Sequence, residues 1–138
     1  VESLQSNFNG AGINVTAAQL QNFSDIRVNN TMINITTAGV IDFAGGFLNS
    51  TRFTLSALGN TLDLAGNSVG GFTVTGGAAI DTITGGDNTF GDSLSGLGGN
   101  DIINGGGGND SITGGTNIDV MNGGDGNDTF VVNAAAEV

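Results

Sequence analysis

From Gly76 to Val131 the chain repeats a nine-residue unit with Gly first, Asp sixth and an apolar residue eighth, clearest in Gly105 to Thr113 (GGGGNDSIT) and Gly123 to Val131 (GGDGNDTFV). So short a period admits few folds. One unit is a tight turn followed by a short strand, and it cannot bury its single apolar side chain alone, so successive units must stack into a solenoid. The 26 glycines would suggest disorder if they were scattered. They stand instead in phase with Asp and with Ile, Leu, Met or Phe, which assigns them to the repeat.

The units run Gly76 to Thr84, Gly85 to Ser95 with two extra residues, Gly96 to Asn104, Gly105 to Thr113, Gly114 to Asn122 and Gly123 to Val131. Two units make one coil. Ile83, Leu94, Ile103, Ile112, Met121 and Phe130 then face inward, Ile103 on Met121 and Ile112 on Phe130, with parallel strands about 4.8 Å apart. The expected fold is all-β, a right-handed parallel β-roll or β-helix solenoid. Before Gly76 the glycine turns fade, but pairs of apolar residues persist at Ile26/Val28, Ile33/Ile35, Ile41/Phe43, Phe53/Leu55, Leu62/Leu64 and Phe72/Val74. Residues 1–75 therefore read as a metal-free β-solenoid extension, the alternative being a separate small β domain. Ala17 to Gln21 could form one helical turn. The start at Val1 and the seven residues after the last repeat suggest a module of a longer polypeptide, with 132–138 beginning a following segment.

Charge points to a partner for the turns. The net charge is −11, with two basic residues in all and none between Gly76 and Val131, where Asp81, Asp87, Asp92, Asp101, Asp110, Asp119, Asp125 and Asp128 lie. Stacking aligns Asp81, Asp101 and Asp119 on one side and Asp92, Asp110 and Asp128 on the other. Two such carboxylates at 4 Å repel by about 1 kcal/mol even in water. A bound Ca²⁺ reverses that sign, since it takes roughly six to eight oxygens from carboxylates and carbonyls in a flexible geometry. Glycine lets turn carbonyls point into one loop. Asn117, where other turns have Gly, tolerates the same left-handed backbone, and Ala79 does so less well.

Pairing Asp81 with Asp101, Asp101 with Asp119, Asp92 with Asp110, and Asp110 with Asp128 predicts at least four ions. The candidate ligand set is these six aspartates with Gly98, Gly105, Gly107, Gly114, Thr116, Gly123 and Asp125 from the turns. Asp87 and Asp125 lie inside turns and could add ligands, but they read more simply as solvated turn residues. Asp63, 18 residues before Asp81, reads as a degenerate member of the column.

These turns and strands resemble the RTX proteins, the hemolysin-type calcium-binding repeats, over Gly76 to Val131. Departures are Leu97 for the second Gly, Ala79 for the fourth and the insertion before Asp92. The resemblance implies a parallel β-roll, extracellular placement and frequent export by a type I system.

Other functions find less support. The acidic surface repels nucleic acid and anionic lipid, and no apolar run is long enough for a transmembrane span. An enzyme on a β-helix would want an acid/base set, and the chain has no His, Tyr, Cys or Trp. A glycan- or ice-binding ladder would need uniform outward residues, whereas the ninth positions read Thr84, Ser95, Asn104, Thr113, Asn122 and Val131. Arg27 and Arg52 read as surface residues. The expectation is a non-catalytic calcium-binding module of a secreted bacterial protein, from a surface-layer, adhesin or fibre protein or, alternatively, an exported enzyme or toxin. Its partners would be calcium and other copies or modules joined end to end.

Overall fold

The computed structural model describes residues 2–6, 12–21, 23–28, 32–43, 48 and 51–132, and of residues 2–6 and 23–28 the backbone alone. The elements are β1 (Glu2–Ser6), β2 (Ile13–Val15), α1 (Ala17–Gln21), β3 (Phe23–Val28), β4 (Met32–Ile35), β5 (Gly39–Asp42), β6 (Arg52–Thr54), β7 (Asn60–Asp63), β8 (Thr73–Thr75), β9 (Thr82–Thr84), β10 (Ser93–Gly98), β11 (Ile102–Gly107), β12 (Ser111–Thr116), β13 (Val120–Asp125) and β14 (Thr129–Val131). Two parallel sheets, ordered β14-β12-β10-β8-β6-β4-β2 and β13-β11-β9-β7-β5, close on one core. This is the parallel β-solenoid expected from the repeat, and its sheets pass residue 76 without a break.

Alternation explains the strands. In each short strand the middle residue points in and its neighbours point out, so one apolar side chain fills each rung. Ile33, Phe53, Val74, Leu94, Ile112 and Phe130 stack in register along one sheet. Ile41, Leu62, Ile83, Ile103 and Met121 stack along the other. Met121 is partly buried, and Phe130, expected inward, is 45% exposed. It lies on the last rung, and among the described residues no strand stacks above it.

One expectation changes here. Ile26 and Val28 lie on β3, which pairs with β1 in a separate two-stranded parallel sheet rather than joining the stack, and their side chains lie outside the described residues. Ile83 stacks on Ile103, 20 residues on, because the two-residue insertion before Asp92 lengthens that coil. The outward rows through the ninth positions stay mixed: Asn34, Thr54, Thr75, Ser95, Thr113 and Val131 align on the longer sheet, and Asp42, Asp63, Thr84, Asn104 and Asn122 on the shorter.

The expected helical turn is α1. Thr16 Oγ1 accepts the Gln19 N–H at 3.1 Å while Gln19 Oε1 accepts the Thr16 N–H at 2.9 Å, a reciprocal cap. Ala17 and Leu20 are buried in the core. Gly39 meets the helix there, since a Cβ on it would come within 2.7 Å of the Ala17 Cβ.

Candidate metal centre

The turns between the sheets carry the two carboxylate columns. On one side Asp81 Oδ1 accepts the Asn60 N–H at 2.7 Å, Asp101 Oδ1 the Asp81 N–H at 2.8 Å, and Asp119 Oδ1 the Asp101 N–H at 2.9 Å. On the other, Asp92 Oδ1 accepts the Phe72 N–H at 2.8 Å, Asp110 Oδ1 the Asp92 N–H at 2.7 Å, and Asp128 Oδ1 the Asp110 N–H at 2.9 Å. Each carboxylate thus anchors the turn before it. The partners are 21, then 20, then 18 residues apart along the first column. The structure brings together the same aspartates that the sequence pairs.

The second carboxylate oxygens divide the columns. Asp81 Oδ2 accepts the Gly77 N–H at 2.7 Å and Asp92 Oδ2 the Gly86 N–H at 2.8 Å. Asp101 Oδ2 and Asp110 Oδ2 are buried and have no hydrogen-bond partner. A buried charged oxygen without a partner is costly to desolvate. A cation is the group that would offset it.

The first glycine of each turn makes room for this arrangement. A Cβ on Gly96, Gly105, Gly114 or Gly123 would collide with the carboxylate of Asp101, Asp110, Asp119 or Asp128 of the same turn. In the earlier coils the equivalent places hold Leu55 and Leu64, both buried, each following the strand residue that pairs with the one before Gly76 or Gly85. Loss of an aliphatic side chain thus opens a cradle that the carboxylate fills.

Backbone conformation marks the same turns. The second and fourth residues have positive φ at Leu97 and Gly99, Gly106 and Gly108, Gly115 and Asn117, and Gly124 and Gly126. Leu97, a departure from Gly, adopts φ 69°, and Asn117 takes 81° as its tolerance for this region predicts. Neither the turn from Gly76 nor that from Gly85 has a positive-φ residue before its Asp. Among the described residues no three Asp, Glu, His or Cys side chains form a metal-holding group. A cation here would draw its other ligands from turn carbonyls, a mixture that suits Ca²⁺ better than the rigid octahedron of Mg²⁺.

The remaining candidates lie elsewhere on the turns. Asp125 is exposed, and with Asp87, Asn88, Gly107 and Asn109 it lines an open depression of about 370 Å³. Asp87 Oδ2 accepts the Gly66 N–H at 2.9 Å. Gly98 and Thr116 pair across neighbouring strands, and Thr116 Oγ1 donates to the Leu97 carbonyl at 3.4 Å.

Asp63 is not in the column. It lies on β7, paired with Asp42 and Thr84. The column place below Asp81 belongs to Asn60, which sequence reasoning missed. Asn60 Oδ1 accepts the Ser56 N–H at 2.9 Å and its Nδ2 donates to the Thr37 carbonyl at 2.9 Å. On the other side Asn67, fully buried, accepts the Leu48 N–H at 3.2 Å and donates to the carbonyls of Phe43 and Leu64. A neutral amide both donates and accepts, so these turns close without a charge. The signal available in sequence was an Asn beside a glycine turn, without the nine-residue phase that would single it out.

Burial raises the carboxyls of Asp81, Asp101 and Asp110, with backbone N–H groups lowering them in part and, for the latter two, neighbouring Asp charges raising them further. Asp92 is pushed up to about 6, by burial first, against the lowering N–H groups of Phe72 and Gly86 and with the Asp110 charge adding to the rise. An acid with a raised folded-state pKa binds protons more readily folded than unfolded. Without calcium, stability should therefore rise as pH falls from 7 towards 5. In saturating calcium a proton competes with the ion, so the slope should reverse. Thermal unfolding across this pH range in chelator and in calcium checks both, and slopes of the same sign would contradict the metal assignment.

Residues 73–89, 87–121 and 108–134 match the RTX calcium-binding nonapeptide repeat model, in four copies. The match spans residues 73 to 134 and takes in all six units of the repeat. No curated protein and no solved structure matches the chain.

Proposed function

We propose, for a chain whose residues 73–134 are RTX calcium-binding repeats, that it is a non-catalytic structural module that folds on Ca²⁺ outside the cell. The supporting observation is the pair of buried, unpartnered oxygens on Asp101 and Asp110, facing turns whose glycines leave carbonyls as the other ligands. The cofactor is calcium, held by Asp101, Asp110, Asp119 and Asp128 with turn carbonyls. Residues 1–75 act as a metal-free extension of the stack. Among the described residues no helix is long and apolar enough to cross a membrane.

The module belongs to a surface-layer, adhesin or fibre protein. Favouring this is the regular stack itself, with Phe130, the inward residue of its last rung, left exposed where a further module or copy could continue it. In a calcium-poor cytoplasm, aspartate repulsion keeps the repeats open for export, and outside the cell binding energy becomes folding energy. Equilibrium dialysis against calcium and magnesium tests the reading: calcium should be retained and magnesium excluded at equal concentration. Retention of neither would refute it.

A further inference from the structure

We infer that calcium is required only from Asp101 and Asp110 onward, and that Asp81 and Asp92 are metal-independent joints through which an already folded N-terminal stack templates the repeats. This deepens the calcium reading proposed above and rests on it.

The six column aspartates are not equivalent. Asp81 and Asp92 are almost fully buried, yet each has both oxygens satisfied by backbone N–H groups, from Asn60 and Gly77 or from Phe72 and Gly86. Nothing is left over for a cation to neutralise except the charge, and that charge is spread over two donors. Asp101 and Asp110, one coil further on, keep the first bond and lack the second. Positive φ at the second and fourth turn residues begins at Leu97 and Gly106, in the same two turns. Hydrogen bonding and backbone conformation thus change at one place in each column.

What precedes that boundary can hold itself together. Strands β4 to β9 bury Ile33, Ile35, Ile41, Phe53, Leu62, Val74 and Ile83, and their turns add Leu55, Leu64 and Phe72. Removing such side chains from water is what holds this part of the stack together. Asn60 and Asn67 close the turns without charge. From Gly76 and Gly85 onward the second inward position is Gly, and each later strand buries one large side chain at most. The later coils exchange apolar cohesion for charge, and charge needs the ion.

Folding would then be directional. The N-terminal stack presents the backbone N–H groups of Asp81 and Asp92 as fixed donors, and the carboxylates of Asp101 and Asp110 dock on them in a preset register. Calcium closes each docked turn. The Asp101 and Asp110 N–H groups repeat the offer to Asp119 and Asp128.

The test compares the full chain with the double variants Asp81→Asn/Asp92→Asn and Asp101→Asn/Asp110→Asn. Calcium binding is measured by equilibrium dialysis and amide hydrogen exchange is followed in chelator. The first variant should bind as many ions as the unaltered chain, with a midpoint changed less than about twofold, and the second should lose ions or bind at least about tenfold more weakly. In chelator, amides of β4 to β9 in the unaltered chain should remain protected while those of β11 to β13 exchange freely. Loss of an ion in Asp81→Asn/Asp92→Asn, or unprotected β4 to β9 amides in chelator, would overturn the inference while leaving calcium binding intact. Absence of calcium binding by the unaltered chain would overturn the functional reading itself. Should the first variant fail to fold, exchange in the unaltered chain decides.

Discussion

Calcium added to the chelator-treated chain is expected to convert residues 96–131 from coil to strand in one steep, cooperative step visible by circular dichroism. The ground is electrostatic. Asp101 lies between Asp81 and Asp119, and Asp110 carries the charges of Asp92 and Asp128 beside it, in a setting where burial already disfavours ionisation. Without metal, each like-charged pair at close range costs about 1 kcal/mol in water and several times more near a protein surface. No aliphatic side chain compensates at the glycine cradles. Each ion neutralises a turn and fixes the next, so binding and strand formation advance together. Identical spectra in chelator and in calcium would reject metal-driven folding, and a gradual, non-cooperative change would mean that the turns bind independently.

The second large effect concerns one side chain. Replacing Asp110 by Ala should weaken apparent calcium affinity by at least about tenfold, or about 1.4 kcal/mol. It removes the unpartnered Oδ2 and, in the same step, the Oδ1 that holds the Asp92 N–H. Asp87→Ala is the comparison, since Asp87 lines the open depression and bonds to the Gly66 N–H outside the column. Its effect should stay within about twofold. Calorimetric titration of the two variants separates the cases, and equal losses would mean that the columns are wrongly assigned.

The periodic half of the chain was the legible half. Where coils are 18 residues long, counting along the sequence is the same as moving up the stack, so Asp92, Asp110 and Asp128 could be aligned without coordinates. Counting failed where turns lengthened. Eighteen residues before Asp81 is Asp63, a strand residue, whereas the true neighbour is Asn60, 21 residues away. Strand pairing fixes which residues stack, but turn length is free, and a mixed coil length hides the column from any fixed period. The difference between Asp81 and Asp101 was legible in part, because Ala79 suits the left-handed turn less well than Gly99 does. Both follow Gly-rich turns, and what separates them is whether an N–H reaches the second oxygen, a matter of backbone angles decided by Ala79 against Gly99 and their neighbours. The β1–β3 pairing escaped for another reason, since Ile26/Val28 has the same local pattern as the stacked pairs and nothing local assigns it to a different sheet.

The bond from each column Asp N–H to the Asp carboxylate of the following coil has a bearing on ancestry. Every coil from Asp101 onward makes the same demand on its successor as it met for its predecessor, so a duplicated stretch of 18 residues slots in without any new kind of contact. Each duplication would lengthen the rod by about 4.8 Å. Selection can therefore adjust reach by unequal recombination, in whole increments, leaving chemistry untouched.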